Sequence, residues 1–284
     1  MLSSDIMRKI RHITIATRRL LSGSLIGDNR SAQKGMGFEF DQMRDYQVGD
    51  DVRFIDWHAS LRTQSMLVKQ YVEERSRTIM LVVDVSHSTV FGSQALRKYD
   101  LIAQVSSILA LVATYGNDRV GLLLFSDDVE LYIPPGRGWS RVHRIMETLF
   151  SYTPVKKATH CASACDRLAS LAMNDAVVFF ISDFIDDTLD ARFGVLSKKY
   201  DVIAVRCLDE REKTMPVTGI MTVCDIETGE DVMIDIGELD RHVKQRITAQ
   251  NNFFRRYGID ILDISCTEDY IGNLITFFRR RMRY

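Results

Sequence analysis

Two short polar segments of the sequence carry side chains that are suited to binding a metal ion. In "DVSHS", residues 84–88, Asp84, Ser86 and Ser88 stand at every second position after the apolar run "TIMLVV". Asp183 directly follows a second apolar run, "AVVFFIS". Carboxylate and hydroxyl oxygens are hard ligands of the kind that Mg²⁺ prefers, with Mn²⁺ and Ca²⁺ as alternatives. Serine and aspartate also gather at strand ends because they stabilise turns, so the pattern alone leaves both readings open.

A further hydroxyl, that of Thr159, stands in "KKATHCAS" at the start of a predicted helix. It would either join the cation site or serve only as the helix N-cap.

The elements around these residues predict an α/β fold. The apolar runs at 77–85 and 176–182 are typical of strands that are buried on both faces. They alternate with helical patterns such as 96–115, and this alternation predicts a three-layer, Rossmann-like domain with a mainly parallel sheet and helices on both faces. Ligands bind such sheets outside the carboxyl ends of strands, where the strand order reverses. Both polar segments lie at predicted strand ends.

The pattern divides the chain into two regions. Residues 1–76 contain a predicted helix at 5–22 and an arm, "RDYQVGDDVRFIDWHASLRT", which has no clear period and is predicted to be mostly irregular. Residues 77–284 form the α/β domain, with a hairpin excursion at about 220–235. Within the arm, we expect Arg53 to pair with a carboxylate and Trp57 to be buried. A docking surface on the arm is the alternative.

Composition limits the classes of partner. The net charge is −1, so no overall field favours nucleic acid, and none is expected as a partner. The chain ends are basic, with seven Lys/Arg against two Asp/Glu in residues 1–36 and "FFRRRMRY" at the other end, which leaves peripheral contact with a membrane or nucleic acid as an alternative. The sequence shows no signal peptide and no apolar stretch of membrane-spanning length. Five cysteines without a zinc-like spacing favour free thiols and a cytoplasmic location.

Several motifs together resemble a known family. The series Asp84-x-Ser86-x-Ser88, Thr159 and Asp183 resembles the metal-ion-dependent adhesion site of von Willebrand factor A domains. The segment "GFEFDQMRDYQVGDDVRFIDWHASLRTQSMLVKQYVEE" resembles the signature of the bacterial domain-of-unknown-function family 58, whose members contain an A-type domain, and "NDRVGLLLFSDDVELYIPPGRG" and "FFISDF" also match. One departure is visible, since Ala158 stands where the family commonly has glycine before the threonine.

The resemblance implies a fold, a site and a partner. It implies a von Willebrand factor A-like fold, with Asp84, Ser86, Ser88, Thr159 and Asp183 arranged around Mg²⁺. In such sites the ligands are largely neutral or act through water, so the metal stays electrophilic and accepts an Asp or Glu of a client protein. Family members are often encoded beside MoxR-type AAA+ ATPases, which implies an adaptor or co-chaperone role in the maturation of other proteins.

A hydrolase is the alternative from a different class. Ser86 or Ser88 as a nucleophile would need a positioned base, and His87 between them would point to the opposite side along a strand. No Gly-x-Ser-x-Gly elbow and no phosphate-binding Gly-x-x-x-x-Gly-Lys loop is present. We therefore predict a protein-binding module without catalytic activity, and a Mg²⁺-dependent phosphatase remains the competing hypothesis.

Overall fold

The computed structural model describes most of the chain from residue 34 onward. The described residues are 34–35, 39–72, 76–86, 97–153, 159–185, 189–208, 220–224, 231–265 and 270–281. The predicted helix at 5–22, most of the basic amino-terminal segment and residues 282–284 therefore lie outside them, as do His87 and Ser88.

The secondary structure follows the predicted alternation. The strands are β1 (Lys34–Gly35), β2 (Glu39–Asp45), β3 (Leu67–Val72), β4 (Thr78–Asp84), β5 (Arg119–Phe125), β6 (Val129–Gly136), β7 (Ala176–Ser182), β8 (Asp201–Leu208), β9 (Ile220–Cys224), β10 (Asp231–Asp235) and β11 (Asp260–Ser265). The helices are α1 (Trp57–Thr63), α2 (Lys98–Tyr115), α3 (Trp139–Ser151), α4 (Cys161–Ser170), α5 (Arg192–Lys199), α6 (Ile236–Arg256) and α7 (Tyr270–Arg281).

The central sheet has six strands in the order β11-β8-β7-β4-β5-β6. All neighbouring pairs are parallel except β5 and β6, which form an antiparallel hairpin. Read from β6 to β11 and renumbered by chain order, this is the 3-2-1-4-5-6 arrangement of doubly wound folds. The strand order reverses between β4 and β7, so the carboxyl ends of these two strands form the crevice where such folds bind ligands.

Helices cover both faces of this sheet. Alternate residues of β4 point to opposite sides, because side chains alternate along a strand. Leu81 and Val83 join a core with residues of α2, α3 and α7, while Met80 and Val82 join a second core with residues of α4, α5 and α6. The predicted three-layer α/β architecture is confirmed.

The described residues up to Ser76 form a compact unit of their own. It contains a small antiparallel sheet in the order β1-β3-β2, a short 3₁₀ turn at Val52–Phe54 and helix α1. The prediction of mostly irregular structure here is wrong in part. Asp51 accepts a hydrogen bond from the Arg53 amide, and Asp56 accepts one from the Ala59 amide, so each aspartate caps a short helical turn. Such capping hydrogen bonds stabilise short helical turns even where the sequence has no apolar periodicity.

The two side-chain predictions for this unit have opposite outcomes. The Arg53 guanidinium pairs with Asp51, with Nη2 2.6 Å from Oδ2, as expected. Trp57 is 59% exposed, so the prediction that it is buried is wrong. As the first residue of α1, it projects from a helix whose described residues include none that is buried.

The remaining strands, β9 and β10, pair with each other in antiparallel register, from Asp231 opposite Cys224 to Asp235 opposite Ile220. The predicted hairpin excursion is therefore present, with its turn outside the described residues. Among the helices that the structure describes, none has the combination of length and hydrophobicity needed to cross a bilayer.

Candidate metal site at the carboxyl edge of the sheet

Two predicted ligands meet at the crevice between β4 and β7. Asp84 is the last residue of β4, and Asp183 follows the last residue of β7. The two strands are adjacent and parallel, with Val83 opposite Ile181, so both carboxylates lie at the same edge. Asp84 has no exposed surface and Asp183 is 2% exposed. Buried carboxylates this close are costly unless hydrogen bonds or cations compensate them.

Hydrogen bonds fix the orientation of Asp84. The Ser86 amide donates to its Oδ1 at 2.9 Å, and the Ser182 hydroxyl donates to its Oδ2 at 2.6 Å. Ser182 Oγ also accepts a hydrogen bond from the Phe184 amide at 3.0 Å. Ser182 was not among the predicted site residues, yet it links the two strand ends directly. Ser86 is fully buried beside them.

The environment changes the acidity of Asp84. Burial raises its pKa to about 7, and the negative charge of Asp183 contributes in the same direction. The hydrogen bonds from Ser182 and Ser86 lower the pKa and offset part of this increase. The ionised form of Asp84 is therefore disfavoured, as expected for a carboxylate that is buried beside another negative charge.

A buried lysine lies in the same site. The Nζ of Lys98, the first residue of α2, is 3.3 Å from Oδ2 of Asp183, and both side chains are 1% exposed. The other Asp183 oxygen, Oδ1, accepts a hydrogen bond from the Ile185 amide at 3.2 Å. Lys98 also escaped prediction, although its spacing carried a signal: Leu101 and Ile102 follow at helical intervals and are fully buried.

Thr159 is half-buried beside the neighbouring strand end. The amide of the next residue, His160, donates to the carbonyl of Ser126, which directly follows β5. Since the Val85 amide donates to the Phe125 carbonyl, the ends of β4 and β5 are also tied together. Thr159 thus lies at the same edge of the sheet as Asp84. The N-cap of α4 is His160, so the alternative that Thr159 serves only as that cap is wrong.

A second layer of polar side chains supports the Asp183 segment. Phe184 has a left-handed backbone with φ of +50°, which is uncommon for a residue other than glycine. Its carbonyl accepts a hydrogen bond from the buried Gln250 side chain of α6 at 2.5 Å. Arg206, fully buried in β8, donates in turn to Gln250 and pairs through two hydrogen bonds with Asp263.

The donor set fits a hard divalent cation. In the described part of the chain, no three His, Cys, Asp or Glu side chains cluster in a way that could hold a metal, so a zinc-type site is not seen there. Asp84 and Asp183 contribute two carboxylates, and the Lys98 ammonium contacts one of them, that of Asp183. Ser86 and Thr159 add hydroxyl groups at the same edge. Such a set suits Mg²⁺, and the residual negative charge at Asp84 would favour it. The role of Ser88 stays a prediction.

The sequence matches the family model "Protein of unknown function DUF58" over residues 42–255, which is more than half of the chain. The chain belongs to this family. An uncharacterized protein of Mycobacterium tuberculosis strain H37Rv is 26% identical over 282 residues, covering 96% of this chain and 89% of that protein. An uncharacterized protein of Mycobacterium bovis matches with the same identity and the same coverage.

Two solved structures match this chain at low sequence identity. The conserved hypothetical protein BatB from Bacteroides thetaiotaomicron is 16% identical, with a TM-score of 0.49, over 74% of this chain and 100% of that one. A von Willebrand factor type A protein from Catenulispora acidiphila is 7% identical, with a TM-score of 0.41, over 75% of this chain and 43% of that one. The predicted three-layer α/β fold with a mainly parallel sheet stands on this chain's own strand order and on the cores that cover both faces of the sheet.

Proposed function

We propose that this protein is a metal-ion-dependent protein-interaction module. The observation that carries the proposal is the convergence of Asp84 and Asp183, both buried, at the point where the strand order reverses. Two carboxylates are costly to bury together, and the pKa of about 7 at Asp84 reflects that cost. A site of this kind favours a divalent cation as a bound component.

The chain's own residues would hold and orient that cation. Asp84 and Asp183 would supply charge, while Ser86, Thr159 and Ser88 would supply neutral oxygen ligands. Ser182 keeps the Asp84 carboxylate turned toward the neighbouring strand end, since its hydroxyl donates to Oδ2. A bound Mg²⁺ would supply an electrophilic centre able to accept a carboxylate from a partner, as hard cations do. Binding of this type needs no bond-making step, so the proposal assigns no catalytic residue.

The proposed partners follow from the family resemblance and from this chemistry. Client proteins would offer an Asp or Glu side chain to the site. A MoxR-type AAA+ ATPase would supply the energy-driven step in the maturation of those clients, and the module would act as its adaptor in the cytoplasm.

Isothermal titration of the purified protein with Mg²⁺ and with Mn²⁺ tests the site directly. We expect saturable binding of one ion, lost in the Asp84→Ala/Ser86→Ala double variant. A matched control is Ser106→Ala/Asp201→Ala, which removes a helix serine and an exposed carboxylate elsewhere in the same domain. This control should bind the ion as the wild type does.

Pull-down with a purified MoxR-type ATPase then tests the interaction. Retention should be lost in EDTA and in the double variant, and kept in the control. Equal retention in all these arms would contradict metal-dependent binding. Turnover of a phosphate ester with Mg²⁺ that Asp84→Ala abolishes would instead support the hydrolase.

A further inference from the structure

The Lys98 side chain is buried beside Asp183, although lysine is almost never fully buried unless it is paired. Lys98 has no exposed surface, and its ammonium lies 3.3 Å from Oδ2 of Asp183. Burying an ammonium is unfavourable unless an opposite charge and hydrogen bonds compensate it. Lys98 is the first residue of α2, and Asp183 directly follows β7, so the pair lies where the start of this helix meets the end of this strand. The start of α2 therefore places a positive charge at the edge of the sheet where the cation is expected.

The two carboxylate oxygens of Asp183 have different partners. Its Oδ1 accepts the hydrogen bond from the Ile185 amide, and its Oδ2 faces Lys98. A divalent ion that draws on either oxygen of Asp183, directly or through water, would come close to the ammonium that already contacts Oδ2. Two cations at one buried carboxylate repel each other strongly. Metal and ammonium are therefore alternatives at this position.

We propose that Lys98 is a built-in competitor for the metal: in the metal-free protein its ammonium compensates Asp183, and a divalent ion binds only by displacing it. This inference rests on the proposed function and adds a regulatory element to the same site. The lysine keeps the metal-free site folded and neutralises one of the two carboxylates. It also lowers the affinity for the ion, so that the site fills only above a threshold concentration.

The test is Lys98→Met, which keeps the length of the side chain and removes its charge. We expect Mg²⁺ and Mn²⁺ to bind about tenfold more tightly or better, since a charge within ~4–6 Å shifts such equilibria by one to three powers of ten. In EDTA, the same variant should unfold at a lower temperature than the wild type, because two buried carboxylates then lack their cation. Added metal should raise its melting temperature by more than it raises that of the wild type.

Lys69→Met is the matched control. Lys69 pairs with Asp56 at 3.1 Å outside the α/β domain and is partly exposed. Its replacement should leave the metal affinity at the wild-type value.

A measurement on the wild-type protein covers the case in which Lys98→Met fails to fold. Amine-reactive labelling read by mass spectrometry should modify Lys98 slowly in EDTA and faster with saturating Mn²⁺, because a displaced ammonium must reach solvent. Labelling of Lys69 should not change.

The outcomes separate the two proposals. Equal metal affinity of wild type and Lys98→Met, or unchanged Lys98 labelling at saturating metal, overturns the competition while the metal site stands. Failure of both proteins to bind either ion overturns the proposed function and the competition together.

Discussion

At the scale of single residues, burial sets the chemistry of the site. Asp84 and Asp183 lie side by side away from water, and one ammonium, that of Lys98, faces one of them. Burial raises the pKa of Asp84 to about 7, and the negative charge of Asp183 acts in the same direction. The folded metal-free protein therefore holds a proton at Asp84 over a pH range in which the unfolded chain has released it.

This shift has a definite effect on stability. An unfolded aspartate titrates near ~3.9, so the raised pKa of Asp84 stabilises the metal-free fold fully below about pH 4, and this contribution is lost as pH rises toward 7. The free energy of unfolding should fall by up to about 1.4 kcal/mol per pH unit across this window. Asp84→Asn cannot ionise and should lack this slope. Urea unfolding in EDTA from pH 4 to pH 8 measures both proteins.

The control is Asp201→Asn, which neutralises an exposed carboxylate of the same domain. It should keep the wild-type slope. An Asp84→Asn protein whose stability follows the same pH curve as the wild type would show that Asp84 does not titrate in this window.

The site was predictable from sequence only where position and residue type coincide. Asp84 and Asp183 follow apolar runs long enough to predict buried parallel strands, and the edge of the sheet brings them together. For Ser182 and Lys98, the residue type did not indicate a place in the site. Ser182 ends a strand like many serines, and a lysine before an apolar helix suggests a solvated end. The helical spacing from Lys98 to Leu101, which is buried, was the one indication that Lys98 lies on the buried face of its helix.

At the scale of elements, helix α6 supports the segment that carries Asp183. The Gln250 side chain donates to the Phe184 carbonyl and accepts from Arg206, so it holds a backbone turn in the left-handed region. A residue with positive φ other than glycine costs about 1 kcal/mol or more, and its surroundings must fix it. Gln250 is therefore a positioning residue for Asp183.

Gln250→Leu should both destabilise the protein and weaken metal binding. The change leaves the Phe184 carbonyl and one Arg206 donor without this partner in a buried setting, at a cost of about 2–4 kcal/mol in the free energy of unfolding. We expect the dissociation constant for Mn²⁺ to rise as the Asp183 segment loses its support. Urea unfolding and isothermal titration provide the two readouts.

Gln245→Leu is the control, because Gln245 lies on the exposed side of the same helix. It should be near neutral in both measurements. Loss of stability in Gln250→Leu without any change in metal affinity would show that Gln250 serves the fold alone.

Helix α5 also requires a close approach at Gly194 to Tyr257, the residue that directly follows α6. A Cβ at this position would come within 2.3 Å of the Tyr257 ring. Gly194→Ala should therefore destabilise the protein by about 1–3 kcal/mol, although alanine is the better helix former. Adding Tyr257→Ala should cancel most of that increment, and a double-mutant cycle of unfolding free energies measures the coupling. Additive effects of the two changes would show that the ring moves aside freely.

The elements that the sequence predicted well are those that the core defines. The strands predicted at 77–85 and 176–182 and the helix predicted at 96–115 carry apolar patterns because they are buried. The structure places all three within a residue or two of the predicted bounds. The arm differed because its short turns depend on aspartate caps, at Asp51 and Asp56, rather than on burial. Local hydrogen bonds of this kind leave no period in the sequence.

At the scale of the whole molecule, the unit formed by residues 26–76 differs most from what its sequence predicted. Its density of charges and aromatics suggested a segment in which Trp57 is buried. Instead, large apolar side chains on the described part of this unit are exposed, among them Val48, Trp57 and Leu61. Charge pairs such as Arg53 with Asp51 stay within the unit.

Tryptophan fluorescence tests this character directly, because the chain contains only Trp57 and Trp139. Trp139→Phe leaves Trp57 as the single reporter, and its 59% exposure predicts red-shifted emission that iodide quenches nearly as well in the native as in the urea-unfolded protein. The converse variant, Trp57→Phe, reports on Trp139, which is 44% exposed and packs edge-on against Tyr115 at 5.3 Å. That indole should be better protected. Blue-shifted, poorly quenched emission from Trp57 would mean that the arm buries its tryptophan after all, as its sequence first suggested.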